Sequence, residues 1–255
     1  MSQYRALNPV KIIATLEQLG RRIEARFPGS GLARLCAEVT ETARTASAKA
    51  AAIAAPSLAF RLLSLGLILL GATVLAEIAL NLDYRKSSDN IYAVLQGVDS
   101  AFNIVVLAGA SVLFVLRFEE LSKRAKSLKD LHELRSLMHI IDMHQLTKDP
   151  SVTAVPGPAT EASVKRVLTP FELARYLDYC SEMLSLTAKI AALYAQSARD
   201  SVVISTVNDL EQLAANLCEK IWQKIGLLHH DSAPPALVQI VPSPPRPAEA
   251  AKPAM

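Results

Sequence analysis

Between Leu58 and Leu80 the chain reads LAFRLLSLGLILLGATVLAEIAL, an apolar run interrupted only by Arg61, Glu77 and a few small polar residues. At about 1.5 Å per residue a helix of this length reaches roughly the 30 Å of a bilayer hydrocarbon core. A second uncharged run, AFNIVVLAGASVLFVL from Ala101 to Leu116, reaches the same depth if it begins near Gly97 and ends at Arg117. Two such runs joined by a short polar segment predict a transmembrane hairpin over residues 56–117, with spans at about 58–80 and 97–117. The competing reading makes the same runs the buried centre of a soluble helical protein.

The rest of the chain divides around this hairpin into N-terminal amphipathic helices over 1–55, a helical bundle over 118–228 that contains a linker at 147–168, and a tail over 229–255. With 51% hydrophobic and 5% aromatic residues, nine glycines in 255 residues and no period-2 stretch, the fold class is all-α. A net charge of +3, with acids interspersed among the bases, lacks the basic face of a nucleic-acid binder, so none is expected as a partner. The cysteines Cys36, Cys180 and Cys218 form no close pair and read as small buried hydrophobes. The N-terminus has no signal-peptide pattern, which leaves the first span as the membrane signal.

Local signals place the helices. Asn8-Pro9 opens one, with Ile12, Ile13, Leu16, Leu19, Ile23 and Phe27 on its apolar face, and Phe27-Pro28-Gly29 ends it. Its arginines Arg21, Arg22 and Arg26 suit anionic headgroups, but Glu17 and Glu24 favour a helix packed on the bundle. A second helix from about Ser30 runs through an Ala-rich segment to the break at Pro56. Beyond Leu116 no Pro or Gly occurs until Pro150, so the second span is expected to continue as one long helix with Leu121, Leu128, Leu131, Leu134, Met138 and Ile141 along its stripe. Thr169-Pro170-Phe171-Glu172 forms a capping-box start.

The two helices that follow step by threes and fours. Leu173, Leu177, Cys180, Leu184, Thr187, Ala191 and Tyr194 form one seam, and Val203, Val207, Leu210, Ala214, Leu217 and Ile221 the other. This is the pattern of coiled-coil-like packing, expected to build a three-helix bundle with residues 118–147. Leu173, Leu177, Leu184, Val207, Leu210, Leu217, Ile221 and Trp222 are the candidate interaction surface, although for Trp222 closing the end of the bundle is favoured over an exposed partner anchor. From His229 onward seven prolines predict a disordered tail, in which Leu237–Val241 is a short apolar island.

Lys and Arg near the span ends set the orientation. Arg44, Lys49 and Arg61 precede or open the first span, and Arg117, Lys123, Arg124, Lys126 and Lys129 follow the second, whereas the connection carries only Arg85 and Lys86. Both termini are therefore expected in the cytoplasm. Glu77 and Asn103 fall near the outer ends of adjacent antiparallel spans, where they can bond to each other or to interfacial water. Ala72, Ala76 and the segment Ala108–Ser111 permit close helix approach.

Motifs for chemistry are few. His139 and Asp142 share a helix face, but His144 lies about 140° around the helix from His139. No Glu-x-x-His pairs accompany them, so no metal is expected at His132, His139, Asp142, His144, His229, His230 or Asp231. There is no phosphate loop, GxSxG, HExxH or CxxC, and neither catalysis nor a cofactor is expected. The layout looks like that of small membrane effectors in bacterial conflict systems, a likeness of architecture alone. The expectation is an integral bacterial membrane protein that contacts lipid and acts as an interaction or scaffolding module, its partner a second copy or a helical protein. The alternative is an oligomeric pore built from the hairpin.

Overall fold

The computed structural model describes residues 6–81, 91–148, 150, 168–198 and 200–232, and among these every regular element is an α-helix. They are α1 (Pro9–Arg26), α2 (Gly31–Ala54), α3 (Leu58–Asn81), α4 (Ile91–Leu146), α5 (Pro170–Ser197) and α6 (Ser201–Ser232). The starts follow the local signals. Asn8 accepts from the amides of Val10 and Lys11 ahead of Pro9, Ser30 caps α2, and Thr169 and Glu172 form a reciprocal capping box at α5. Between α1 and α2, Gly29 adopts φ 63°, a left-handed conformation that carries little steric cost only without a Cβ.

The apolar faces of α1, α2, the C-terminal half of α4, α5 and α6 form one core. Helix α5 lies at its centre and is buried around most of its circumference, with Leu177, Cys180, Met183, Leu184, Ile190 and Tyr194 at 0% exposure and a partly exposed polar stripe through Arg175, Glu182 and Lys189. The expected three-helix bundle is thus a five-helix body, because the stripes of α1 (Ile12, Leu16, Leu19, Ile23) and α2 (Leu32, Leu35, Cys36, Val39) close onto the other side of α5. The alanines of α2 contribute closeness: Ala43, Ala46 and Ala50 are buried at 1–3% exposure. Arg22 ties α1 to α5 through Glu182 at 2.7 Å and lies over the ring of Tyr179.

Among the described residues, helix α3 contributes none to this core. It packs antiparallel to the first half of α4, with Phe60 opposite Phe118 and the Cβ position of Gly71 3.3 Å from Ala108 Cβ. The most apolar windows of the two long helical segments each have a mean hydropathy of 2.1; 0% of the first and 6% of the second is buried. These runs are not the hidden centre of the folded chain. They leave Leu62, Leu69, Leu70, Val105, Leu107 and Leu113 exposed.

Helix α4 is continuous for 56 residues, about 84 Å at the α-helical rise, and joins the hairpin to the body without a break. The linker over 147–168 falls mostly outside the described residues. Residues 229–232, expected in the tail, belong to α6, which runs through Ser232; residues 233–255, including Leu237–Val241, lie outside the described residues.

Candidate functional site

The corner between α2 and α3 is where the hairpin meets the body. Pro56 cannot continue α2 and leaves carbonyl and amide groups unpaired on either side of the break. Helix α4 supplies their partners from successive turns of one face. Glu119 Oε1 accepts from the amide of Ser57 at 3.1 Å, and Lys123 Nζ donates to the carbonyl of Ala55 at 2.9 Å. These two side chains also pair with each other at 2.9 Å. The hydrogen bond from Lys123, with that from the Ser57 amide, holds the Glu119 carboxyl below its ordinary value.

Above the corner lies a groove of about 500 Å³ between α2 and α4. Its apolar side is Ile53, Pro56 and Phe60, and its rim carries Lys49, Lys123, Lys126 and Lys129. Asp130 closes the far end. Its Oδ1 accepts from Lys49 at 2.7 Å and its Oδ2 from the hydroxyl of Tyr194 at 3.0 Å. Burial, together with the neighbouring Asp130 carboxylate, raises the Tyr194 hydroxyl pKa, and hydrogen bonding to Asp130 raises that of Lys49. Further along, Arg124 meets Asp200 at 2.7 Å, and Asp200 caps α6 through the amides of Val202 and Val203.

The residues singled out in the sequence fall elsewhere. Asn103 donates to Asp99 on its own helix at 3.2 Å. Phe60 opposite Phe118 and Gly71 opposite Ala108 put Glu77 level with Ala101 and Phe102, one residue short of Asn103. Of the eight candidate interaction residues, Leu173, Leu177, Leu184, Val207, Leu210, Leu217 and Ile221 are buried at 0–7% exposure inside the chain's own core. Trp222 points outward at 56% exposure and does not close the bundle. His144 Nδ1 lies 3.4 Å from the Tyr176 hydroxyl, and Asp142 accepts from Gln145 at 2.6 Å. Among the described residues no three His, Cys, Asp or Glu side chains converge as metal ligands.

Sequence reasoning counted the lysines of α4 as orientation signals and missed the groove they share. The legible part was the Glu119/Lys123 spacing, four residues apart on a helix. The missing part was α2, whose position beside α4 no local pattern fixes. Compared with known proteins, the chain matches no family model, no curated protein and no solved structure.

Proposed function

We propose that this chain is a non-enzymatic integral membrane protein, in which the α3/α4 hairpin anchors the five-helix body at the cytoplasmic face of a bacterial inner membrane and the body serves as an interaction module. The observation that carries the anchoring is the apolar pair of helices standing outside the chain's own core, its leucines uncovered. Soluble monomers seldom expose an apolar surface of this extent, and lipid is the solvent that removes its cost. The Lys and Arg bias supports an orientation with both termini inside. The continuous α4 makes the body a rigid extension of the anchor.

The interaction role rests on the body's surface. Its seam leucines are occupied within the chain, which leaves Trp222 of α6 as an exposed aromatic of the kind that partner surfaces bury. A second copy or a helical protein is the proposed partner.

Carbonate washing of membranes, followed by protease treatment of intact spheroplasts, tests the anchor. Retention in the membrane with both termini protected is expected; release into the wash refutes it. Crosslinking in the same membranes tests the module, and recovery of monomers alone, with no partner, refutes that part.

A further inference from the structure

The groove above the α2–α3 corner combines features that a simple brace does not require. Its volume of about 500 Å³ is that of a ligand pocket. Its charge is unbalanced: Lys49 pairs with Asp130 and Lys123 with Glu119, whereas Lys126 and Lys129 are exposed and have no ion-pair partner among the described residues. The apolar wall formed by Ile53, Pro56 and Phe60 is continuous with the first turn of α3. A cationic rim over an apolar wall fits an amphiphile with an anionic head.

The groove's location identifies the amphiphile. On the anchoring proposed above, on which this inference rests, Phe60 and Phe118 stand at the inner edge of the hydrocarbon. Lys126 follows Phe118 by about two helical turns. Side chains on a helix lean toward its N-terminus, and the N-terminus of α4 lies on the hairpin side, so Lys126 and Lys129 lean back toward the headgroups. We infer that this groove binds the phosphate headgroup of an anionic phospholipid of the inner leaflet, with Lys126 and Lys129 holding the phosphate and Phe60, Pro56 and Ile53 lying against the glycerol and upper acyl chains. A lipid seated there would bridge α2 and α4 at the point where the hairpin leaves the body.

The test uses the full chain reconstituted in phosphatidylcholine vesicles with and without phosphatidylglycerol. Carbonate washing comes first, and native mass spectrometry of the retained protein then counts co-purifying lipids. The wild type is expected to retain phosphatidylglycerol over phosphatidylcholine. Lys126→Gln and Lys129→Gln should each weaken that preference about fivefold, and Lys220→Gln on α6 should leave it unchanged. Equal retention of the two lipids, or a preference that survives the double substitution, overturns the headgroup site. Inorganic phosphate that abolishes the preference reassigns the groove to a soluble anion and overturns the lipid source. Loss of the protein in the carbonate wash removes the anchor itself, a failure distinct from the other two.

Discussion

The hydroxyl of Tyr194 donates to the carboxylate of Asp130 at 3.0 Å from the centre of a core in which the tyrosine has 0% exposure. The same carboxylate holds Lys49 at 2.7 Å, so one aspartate links α5, α4 and α2. A buried hydroxyl needs its partner, and a carboxylate at 12% side-chain exposure needs most of its own. Tyr194→Phe should cost about 1.5–3 kcal/mol, the usual contribution of a hydrogen bond to a charged group. Asp130→Ala should cost more, because it strands both the hydroxyl and Lys49. Urea unfolding of the purified chain in detergent, followed by circular dichroism, measures the order; equal losses would mean that the Lys49 pair adds nothing beyond the tyrosine bond.

Asp200 is one source of acid sensitivity in the body. Burial opposes its ionisation, but Arg124 and the amides of Val203 and Val202 outweigh burial and hold the carboxyl below its ordinary 3.8. A depressed carboxylate stabilises the fold at pH values above its unfolded pKa and loses that contribution as pH falls through the folded value. The stabilisation should therefore be complete above about pH 5 and decline below about pH 4. Asp200→Asn keeps capping ability and removes the charge, so its melting temperature should fall less steeply over that acid range than that of the wild type. Parallel slopes would place the acid transition on other carboxylates.

What was legible in the sequence were the features determined within a few residues of themselves. The Asn8-Pro9 start, the Thr169/Glu172 capping box and the unbroken α4 follow from local hydrogen bonding and from the absence of breakers. Glu17 and Glu24 favour packing of α1 on the bundle, but the place of α1 and α2 against α5 was not legible, because an amphipathic stripe such as Ile12–Ile23 states that it needs cover without stating what covers it. The seam reads as packing within the chain, where it lies, but Leu177 and Leu184 also read as an interaction surface, because nothing in the spacing of an interhelical contact separates a contact within the chain from one between chains. The groove at Lys126 depends on that same placement of α2.

The cysteines should report the core without perturbing it. Burial pushes the Cys180 thiol up to about 12 and the Cys36 thiol up to about 11, which leaves almost no thiolate near neutral pH. Both are at 0% exposure, whereas Cys218 is only half-buried, its thiol 3.6 Å from the carbonyl of Ser181. Maleimide labelling of the folded chain at neutral pH should modify Cys218 first and reach the other two only on unfolding. Labelling of Cys36 or Cys180 at the rate of Cys218 would mean that the core opens locally.

Glu119 braces the α2–α3 corner, and its removal should loosen that corner selectively. Glu119→Ala leaves the Ser57 amide without its acceptor and Lys123 without its ion pair. The expected cost is that of a lost helix cap, about 1 kcal/mol. Hydrogen exchange should accelerate over the first turn of α3 while the amides of α5 keep their protection. Acceleration throughout the body would make the corner part of the core's cooperative unit.

Leu184 and Trp222 separate folding from recognition. Leu184 is fully buried on α5, so Leu184→Ala removes packed methyl groups and should destabilise the chain by about 2–5 kcal/mol. Trp222 is 56% exposed, and Trp222→Ala should change stability by about 0.5 kcal/mol or less. If α6 presents a partner surface, the same substitution should abolish the crosslinked species in native membranes while the melting temperature stays in place. A crosslinked species that survives Trp222→Ala would move the contact to another face of the body, and a large loss of stability would return Trp222 to a structural role.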